Sequence, residues 1–150
     1  MKRIFIDKDK CVGCKNCILE CMQIHRADAG DIYTLNLKDI GNEHRGFIYS
    51  DGAGGYVPVF CRHCDEPECV AACMSGALTK NPETGYVQYN KDRCGACYMC
   101  VMNCPYGLPK PDDIAGEHVI KCDFCLSNDL NPGCVSACPT EAIYVREVMP

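Results

Sequence analysis

Cysteine is the residue type in this sequence whose number and spacing point to chemistry. Sixteen of the 150 residues are cysteine, and they fall into four groups of four with none left over. The groups are Cys11, Cys14, Cys17, Cys21; Cys61, Cys64, Cys69, Cys73; Cys94, Cys97, Cys100, Cys104; and Cys122, Cys125, Cys134, Cys138. Thiols at this density form disulfides or bind metal, so the sequence indicates crosslinks or inorganic sites.

Disulfides and zinc are two of the three interpretations. Eight disulfides would suit a small secreted scaffold, but residues 1–10 lack the apolar stretch of a secretion signal. Four zinc sites would also use sixteen thiolates, and residues 61–64 and 122–125 have the CxxC spacing of such sites. Zinc usually takes one CxxC pair from each of two separated places, so the unbroken runs at 11–21 and 94–104 fit zinc poorly. A zinc-binding interaction module is therefore the alternative from another functional class.

The third interpretation, iron–sulfur, accounts for those unbroken runs. Cys-x₂-Cys-x₂-Cys-x₃-Cys-Pro is the bacterial two-cluster ferredoxin signature, and its fourth cysteine ligates the other cluster. Residues 94–105 match this signature fully, and residues 11–22 match except that Met22 replaces the proline. Four cysteines per site predict four [4Fe–4S] clusters, each with a charge of about −2 when oxidised.

The rest of the composition suits a fold that bound metal completes. The chain has no Trp and four Phe, so an apolar core alone is thin. The net charge of −5 and the lack of a dense Lys/Arg run argue against nucleic-acid binding. No stretch approaches 18 apolar residues, so no membrane-spanning helix is expected. The sequence predicts a cytoplasmic location, and export with a partner that carries the signal stays open.

An internal repeat indicates how the chain is organised. Residues 6–11 resemble residues 89–94, and each cysteine of the first group recurs 83 residues later in the third group. Residues 70–78 resemble residues 135–143 in the same way. Duplication of a unit with two cysteine groups is the simplest interpretation.

The elements that must position the cysteines are predicted to be short. Alternation and turn signals predict strands at 3–6, 56–60 and 143–148, and a hairpin in which the turn at 81–85 precedes a strand at 86–89. Helices are predicted at 17–21, 67–73, 100–104 and 134–138, each with two cysteines four residues apart on one face. Residues 22–60 form the largest insert, the glycine-rich stretch 51–55 predicts a turn, and residues 105–116 predict an irregular connection.

The whole chain resembles the four-cluster ferredoxin-like subunits of multisubunit oxidoreductases. These include subunits of the dimethyl-sulfoxide-reductase and formate-dehydrogenase group, of formate hydrogenlyase and of carbon monoxide dehydrogenase. All four cysteine groups match, including the wide spacing Cys125-x₈-Cys134. Residues 61–77 are most similar to the iron–sulfur protein of carbon monoxide dehydrogenase, with Cys73-Met74-Ser75-Gly76-Ala77 where many relatives have Cys-Pro-Thr-Gly-Ala.

The resemblance also implies how the cysteine groups combine, which spacing alone leaves open. It implies an α+β fold of two ferredoxin-like dicluster modules with short strands, short helices and long loops. The outer module comprises residues 1–56 and 111–150, with the insert at 22–56, and the inner module comprises residues 57–110. The strands at 3–6 and 143–148 then lie side by side. The implied ligand sets are Cys11, Cys14, Cys17 with Cys138; Cys122, Cys125, Cys134 with Cys21; Cys61, Cys64, Cys69 with Cys104; and Cys94, Cys97, Cys100 with Cys73.

Electron transfer, with no catalysis by this chain, is the function that the resemblance implies. We expect single electrons to pass through four [4Fe–4S] clusters between a catalytic subunit and an acceptor, in a soluble anaerobic complex. The preferred catalytic partner is carbon monoxide dehydrogenase, with a flavin NAD(P)H oxidoreductase or a soluble ferredoxin at the other end. The alternatives in this class are a molybdenum or tungsten enzyme, such as formate dehydrogenase or aldehyde oxidoreductase, and a hydrogenase.

A few residues beside the cysteines are secondary candidates. His63 lies between two cysteines and is expected to pack or to form a hydrogen bond, because each cluster already has four cysteines. Surface roles are expected for the other histidines, which are His25, His44 and His118. For Arg62 and Lys121, reduction of cluster charge and an ordinary solvated position are both open.

Overall fold

Short elements joined by loops make up the computed structural model, which describes residues 1–39 and 42–148. Within these ranges the strands form four antiparallel pairs. The strands are β1 (Lys2–Ile6), β2 (Phe47–Ser50), β3 (Tyr56–Val59), β4 (Leu78–Lys80), β5 (Val87–Tyr89), β6 (Lys110–Pro111), β7 (Val119–Ile120) and β8 (Ile143–Glu147). The α-helices are α1 (Asn16–His25), α2 (Glu68–Ala71), α3 (Met99–Asn103) and α4 (Gly133–Ser136). The α+β class predicted from the sequence is confirmed.

The two ends of the described chain pair with each other. Strand β1 runs antiparallel to β8, with Ile4 opposite Val145 and Ile6 opposite Ile143. Ile4 and Ile143 are buried, so the pair packs an apolar face on the core. The Val148 N–H donates to the Met1 carbonyl, and the Met1 ammonium donates to the Val148 carbonyl, each at 2.8 Å. The predicted adjacency of the terminal strands is confirmed.

The predicted hairpin is β4–β5. The Asn81 side chain accepts hydrogen bonds from the backbone N–H groups of Glu83 and Thr84, at 2.8 and 3.0 Å, which is the geometry of an Asx turn. Gly85 has φ +72°, a conformation that glycine adopts without steric cost. Leu78 and Val87 are buried on the inner face of the hairpin.

Helices pack in two pairs, α1 against α4 and α2 against α3. Helix α1 follows Lys15 and α3 follows Tyr98, and both preceding residues have left-handed φ angles, 64° and 55°. These positions are 83 residues apart, so the sequence repeat is a backbone repeat. Helices α2 and α4 follow Pro67 and Pro132, where the missing N–H of proline costs nothing. The pairing brings the first cysteine group to the fourth and the second to the third.

Two predicted helices are shorter in the structure. Helix α2 ends at Ala71 and α4 at Ser136, so Cys73 and Cys138 lie beyond them, in the turns before β4 and β8. Cys104 is the C-cap of α3. The expectation that both cysteines of each pair share a helical face was wrong except for α1. The physical reason is that the Cys73 and Cys138 sulfurs accept hydrogen bonds from backbone N–H groups of the turn that follows each cysteine. The chain must leave the helix before the cysteine to form that turn.

The insert contains a hairpin of which only one strand was predicted. Strand β3 pairs with β2, and Asp51 Oδ1 accepts from the N–H groups of Ala53 and Gly55 at 2.8 Å each in the turn between them. The predicted turn at 51–55 is therefore confirmed. The connection at 105–116 is irregular as predicted apart from the two-residue strand β6, which pairs with β7.

Three aromatic rings meet at the centre of the molecule. The Tyr86 and Phe124 rings stack with centroids 4.6 Å apart, and the His63 ring lies edge-on to both, at 5.3 and 5.8 Å. Ile4 and Ile143 belong to the same buried cluster. A second cluster, with Leu78, Val87, Cys100 and Val119, lies under the β4–β5 hairpin.

Within residues 1–39 and 42–148, the structure contains no helix with the length and apolarity needed to cross a membrane.

Candidate iron–sulfur site

All sixteen cysteines lie in the described part of the chain, where each is a free thiol. Folding gathers them into four sets of electrostatic neighbours, which we call sets A to D. Set A is Cys11, Cys14, Cys17, Cys138; set B is Cys21, Cys122, Cys125, Cys134; set C is Cys61, Cys64, Cys69, Cys104; set D is Cys73, Cys94, Cys97, Cys100. These are the four sets that the family resemblance implies.

Sets A and B join cysteines of the first and fourth groups. Burial, and then the charges of Cys138, Cys14 and Cys11, raise the pKa of Cys17 to about 12. In set B, burial raises the pKa of Cys134 well above its usual range, and the other three cysteines of the set add to the rise. Helix α1 carries Cys17 for set A and Cys21 for set B, so its packing against α4 assembles both sets.

Sets C and D join cysteines of the second and third groups. Burial raises the pKa of Cys69 to about 11, and the charges of the other cysteines of set C add to the rise, although nearby Lys121 opposes it. Burial, and then the charge of Cys73, raise the pKa of Cys100. A small space between the elements is lined by all four cysteines of set D.

Hydrogen-bond donors surround two equivalent sulfurs, those of Cys73 and Cys138. Burial raises their pKa values, but N–H groups of the following turn outweigh it, so both pKa values are lowered. The Leu78 N–H lies 3.4 Å from the Cys73 sulfur, and a hydroxyl two residues after each cysteine lies 3.7 or 3.8 Å away. Cys73 and Cys138 are 65 residues apart and occupy equivalent positions of the repeat. The same kinds of hydrogen bond stabilise the negative charge of both thiolates.

His63 is buried between two cysteines of set C, as expected for a packing and hydrogen-bonding role. It is 1% exposed, and its Nδ1 accepts a hydrogen bond from the Val87 N–H at 3.0 Å. Burial lowers the pKa of His63 to about 3, so the ring is neutral and its proton is on Nε2. This Nε2–H is buried and finds no acceptor in the described residues. A buried donor without a partner, beside two cysteines, fits an inorganic sulfur as its acceptor.

Lys121 is buried between sets B and C, so the ordinary solvated position that the sequence left open for it is wrong. Its Nζ donates to the carbonyl oxygens of Cys122 and Val87, at 2.7 and 3.3 Å, and lies 3.7 Å from the Cys61 sulfur. Arg62, by contrast, is exposed and stacks on the Tyr106 ring at 4.7 Å.

The surface role expected for His25 was wrong. Its Nε2 lies 3.1 Å from Asp123 Oδ1, and its Nδ1 is 2.8 Å from the Cys21 carbonyl and 3.7 Å from the Cys21 sulfur. Arg45 completes the network, because its side chain binds Asp123 at 2.9 Å and its backbone N–H lies 3.3 Å from the Cys21 sulfur. Burial lowers the pKa of His25, but the hydrogen bonds to Asp123 and Cys21 raise it to about 9 overall. The sequence carries no local signal for this network, because Asp123 is 98 residues away.

The other two histidines are also partly buried. His118 Nε2 pairs with Asp112 Oδ2 at 3.1 Å, and His44 bonds the Gly46 carbonyl through Nδ1. Burial, and then nearby Lys110, lower the pKa of His44. Each ring has a partner in its own segment and is half-buried, so neither histidine is the isolated surface residue that was expected.

The donor chemistry of these sets fits iron–sulfur clusters. Mutual charge raises thiol pKa values in all four sets, so gathering these sulfurs as thiolates is unfavourable without a bound cationic centre. Iron supplies that centre and deprotonates its thiol ligands. The N–H groups near Cys73 and Cys138 supply hydrogen bonds of the kind that tune cluster potentials, and the Nε2–H of His63 would be free to supply another to a bound cluster.

Comparison with known sequences gives a family for this arrangement. The family described as "4Fe-4S dicluster domain" matches residues 53–148. The B subunit of the anaerobic dimethyl sulfoxide reductase of Escherichia coli (strain K12) is 34% identical over 145 residues, which cover 93% of this chain and 70% of that protein. Hydrogenase-2 operon protein HybA of Escherichia coli O157:H7 is 32% identical, over 91% of this chain and 49% of that protein.

A solved structure is similar over the whole chain. It is the active-site complex BamBC of benzoyl coenzyme A reductase with benzoyl-CoA, which matches with a TM-score of 0.52 and 25% identity, over 100% of this chain and 82% of that chain. The family match is to a [4Fe–4S] domain, and the sixteen cysteines of the chain suffice for four such clusters. The chain belongs to the 4Fe–4S dicluster domain family and is an iron–sulfur electron-transfer subunit of an oxidoreductase complex, with four [4Fe–4S] clusters as its cofactors.

Proposed function

We propose that sets A to D are the four ligand sets and that the chain relays single electrons through them between a catalytic subunit and a second redox partner. The observation that carries this proposal is the gathering of cysteines from distant parts of the chain into four sets of four. The cluster held by each set supplies a one-electron carrier, and the protein supplies spacing, burial and hydrogen bonds.

The contacts between sets support the order A, B, C, D. Sets A and B meet on helix α1, and Cys17 is an electrostatic neighbour of Cys134. Sets B and C meet at Cys122 and Cys61. Burial raises the pKa of Cys122, and the charge of Cys61 adds to the rise. Sets C and D meet on helix pair α2–α3, which carries or borders cysteines of both sets. Electrons would therefore enter or leave at sets A and D.

Exposure supports the same two ends. Cys14 of set A and Cys97 of set D are exposed, whereas the other cysteines are buried or half-buried, and the two occupy equivalent positions of the repeat. Exposed apolar side chains lie nearby in sequence: Val12 near set A, and Met99 and Met102 near set D. Exposed apolar side chains suit docking of a redox partner at both ends. At the set D end they are methionines, a residue type that is enriched in protein interfaces.

We propose the domain division implied by the family resemblance, with an outer module at 1–56 and 111–150 and an inner module at 57–110. The packing of α1 on α4 and of α2 on α3 supports this division, since each helix pair stays within one module. Strand pair β1–β8 belongs to the outer module, and β4–β5 belongs to the inner one.

For the catalytic partner, we propose a subunit of the dimethyl-sulfoxide-reductase type, which is a molybdenum enzyme. The support is the 34% identity to the B subunit of that reductase over 93% of this chain. A hydrogenase is the second candidate, because the hydrogenase-2 operon protein matches 91% of this chain, although the match spans about half of that protein. The preference for carbon monoxide dehydrogenase depends on residues 61–77, and neither relative described above carries that name. It stays a prediction, as do the flavin NAD(P)H oxidoreductase or ferredoxin acceptor and the cytoplasmic location.

Metal analysis after anoxic purification tests the relay. We expect about sixteen iron and sixteen acid-labile sulfide per chain, and visible absorption that bleaches on reduction. About four zinc without sulfide would instead establish the zinc-binding interaction module. Purification from the native host, with identification of the proteins that co-purify, tests the partner. Recovery of carbon monoxide dehydrogenase would replace the reductase proposal.

A further inference from the structure

Lys121 is a buried cation at the junction of two cysteine sets. Its side chain lies between Cys122 of set B and Cys61 of set C, and it also acts on the pKa of Cys69 in set C. The residue is 5% exposed. Its three donors are directed to two carbonyl oxygens and one sulfur.

The surroundings of Lys121 lack the usual partner of a buried lysine. Lysine is rarely buried unless it is paired with an opposite charge. Within residues 1–39 and 42–148, Lys121 forms no ion pair with a carboxylate, whereas Lys80 pairs with Asp65 and Lys110 with Glu43. Carbonyl dipoles alone do not balance a buried unit charge. The partner must therefore be anionic and lie on the side of the cysteine sulfurs.

The repeat shows that the fold does not require a cation at this position. Lys121 directly precedes the CxxC pair of the fourth group, and its counterpart before the CxxC pair of the second group is Phe60. Phe60 is also buried, so the same backbone position accepts an apolar side chain. The position before a CxxC pair therefore does not need a charged residue, and the charge of Lys121 is specific to the junction of sets B and C.

We propose that the charge of Lys121 raises the reduction potentials of the two clusters held by sets B and C. Without this charge, the same cysteine ligands would give both clusters lower potentials. The inference rests on the proposed function, because it needs the proposed ligand sets. When one of these clusters is reduced, the electron comes from a neighbouring cluster or a partner protein, which is oxidised by one electron. Lys121 forms or breaks no bond and transfers no proton in this step. An electron at the B–C junction is stabilised, which favours its passage from an end set into the middle of the chain.

The experiment is an EPR-monitored redox titration of the four clusters in wild type and in Lys121→Gln. Glutamine can still donate to the carbonyl oxygens of Val87 and Cys122 but carries no charge. We expect two of the four potentials to fall, each by at least a tenfold shift in the one-electron equilibrium, or about 59 mV. The other two should change by less than threefold, because within the described residues Nζ donates to no cysteine of set A or D.

Two control variants separate charge from structure. Lys121→Arg keeps the charge and should keep all four potentials within threefold of wild type. Lys80→Gln removes a lysine that also donates to a carbonyl oxygen of set C, that of Cys64 at 3.1 Å. Lys80 is partly exposed and its charge is balanced by Asp65, so all four potentials should again change by less than threefold.

Three outcomes would overturn the proposal. The first is that Lys121→Gln binds four clusters but leaves all potentials within threefold of wild type. The second is that all four potentials shift equally, which indicates a general change of charge or fold. The third is that Lys121→Gln and Lys121→Met both fail to hold the clusters while Lys121→Arg holds them, which makes the role structural. Absence of iron and sulfide from the wild-type protein would instead contradict the proposed function itself, so the two failures are distinguishable.

Discussion

Cys21 is the residue at which the crossed arrangement of the cysteines is most direct. It lies one helical turn after Cys17 on α1, yet its electrostatic neighbours Cys125 and Cys134 come from the other end of the chain. Neighbours in sequence therefore serve different sets, and neighbours in a set come from different elements. This is the property that makes single cysteine substitutions informative.

A Cys21→Ser change should disturb the cluster of set B and leave that of set A intact. Serine removes one thiolate from set B, whereas Cys11, Cys14, Cys17 and Cys138 keep their positions. The Cys17→Ser variant is the matched control on the same helix and should affect set A instead. EPR spectra and iron content measure both effects. If the two variants lose the same signal, the proposed sets are wrong.

His25 should stabilise the fold through its protonated form. Its pKa is raised from an ordinary value of 6.5 to about 9, so the stabilisation is complete below pH 6.5 and is lost as the pH rises through 9. Asp123 is partly exposed, so we expect a contribution of about 1–2 kcal/mol. The melting temperature of wild type should exceed that of His25→Gln at pH 6.5, and the difference should shrink by pH 9.5.

The His44→Gln variant is the control for that pH series. Burial, and then nearby Lys110, lower the pKa of His44, so His44 loses its proton at lower pH than an ordinary histidine and its effect on stability should change much less than that of His25 between pH 6.5 and 9.5. A difference for His25→Gln that is equally constant would contradict the role given to its protonated form.

At the residue scale, the sequence predicted those features that depend on residue type and local spacing. The cysteine groups and the packing role of His63 follow from residue type and position between ligands. The partners of His25 and the burial of Lys121 do not, because each depends on a residue about 100 or 60 positions away. Only the folded chain brings Asp123 to His25 and Cys61 to Lys121.

At the scale of elements, the loops that precede α1 and α3 have the same backbone conformation, with left-handed residues at equivalent positions. Gly13 has φ +68°, and its counterpart 83 residues later is Ala96, with φ +48°. Left-handed backbone costs an L-residue roughly 1–2 kcal/mol, a cost that glycine avoids. The conformation is thus a requirement of the CxxCxxC loop, and the side chain is secondary to it.

Opposite changes at these two positions should have opposite effects. Gly13→Ala should destabilise the protein by about 1–3 kcal/mol, because of the left-handed backbone and because the new Cβ would lie 2.6 Å from the Tyr56 ring. Ala96→Gly should be neutral or stabilising by up to about 1 kcal/mol. Denaturant unfolding under anoxia, followed by visible absorption, measures both. Equal destabilisation by the two variants would contradict this account.

The strands were predicted better than the helices. Alternation and turn residues locate β1, β3, β5 and β8 to within a residue or two, because those signals are local. Helices α2 and α4 end early because Cys73 and Cys138 accept hydrogen bonds from a following turn, and spacing does not encode this competition. Strand β6, with two residues, is too short to leave a periodic pattern.

At the scale of the whole molecule, Tyr86 and Phe124 join the proposed inner and outer modules. Tyr86 comes from the β4–β5 side and Phe124 from the loop between Cys122 and Cys125, and their rings stack beside His63. This contact is aromatic and buried, so the modules should unfold together and not as independent units.

A Tyr86→Ala change should cost about 3–5 kcal/mol, the usual range for removal of a buried aromatic side chain. It should also split the single unfolding transition into two or expose residues 105–116 to proteolysis. Tyr33→Ala is the control, since Tyr33 is 94% exposed and should change stability by less than about 0.5 kcal/mol. A single transition in Tyr86→Ala, with unchanged proteolysis, would show that the stack does not couple the modules.

The pairing of β1 with β8 has a consequence for biosynthesis. At a translation rate of about 5–20 residues per second, roughly 6–25 seconds separate the synthesis of Cys11 from that of Cys138. With the proposed ligand sets, the thiols of set A wait throughout this time without their fourth ligand, open to oxidation. Sets C and D are complete in sequence once Cys104 has been made. Cluster insertion should therefore proceed from the middle of the chain outwards, although the ribosome delivers the chain from its N-terminus.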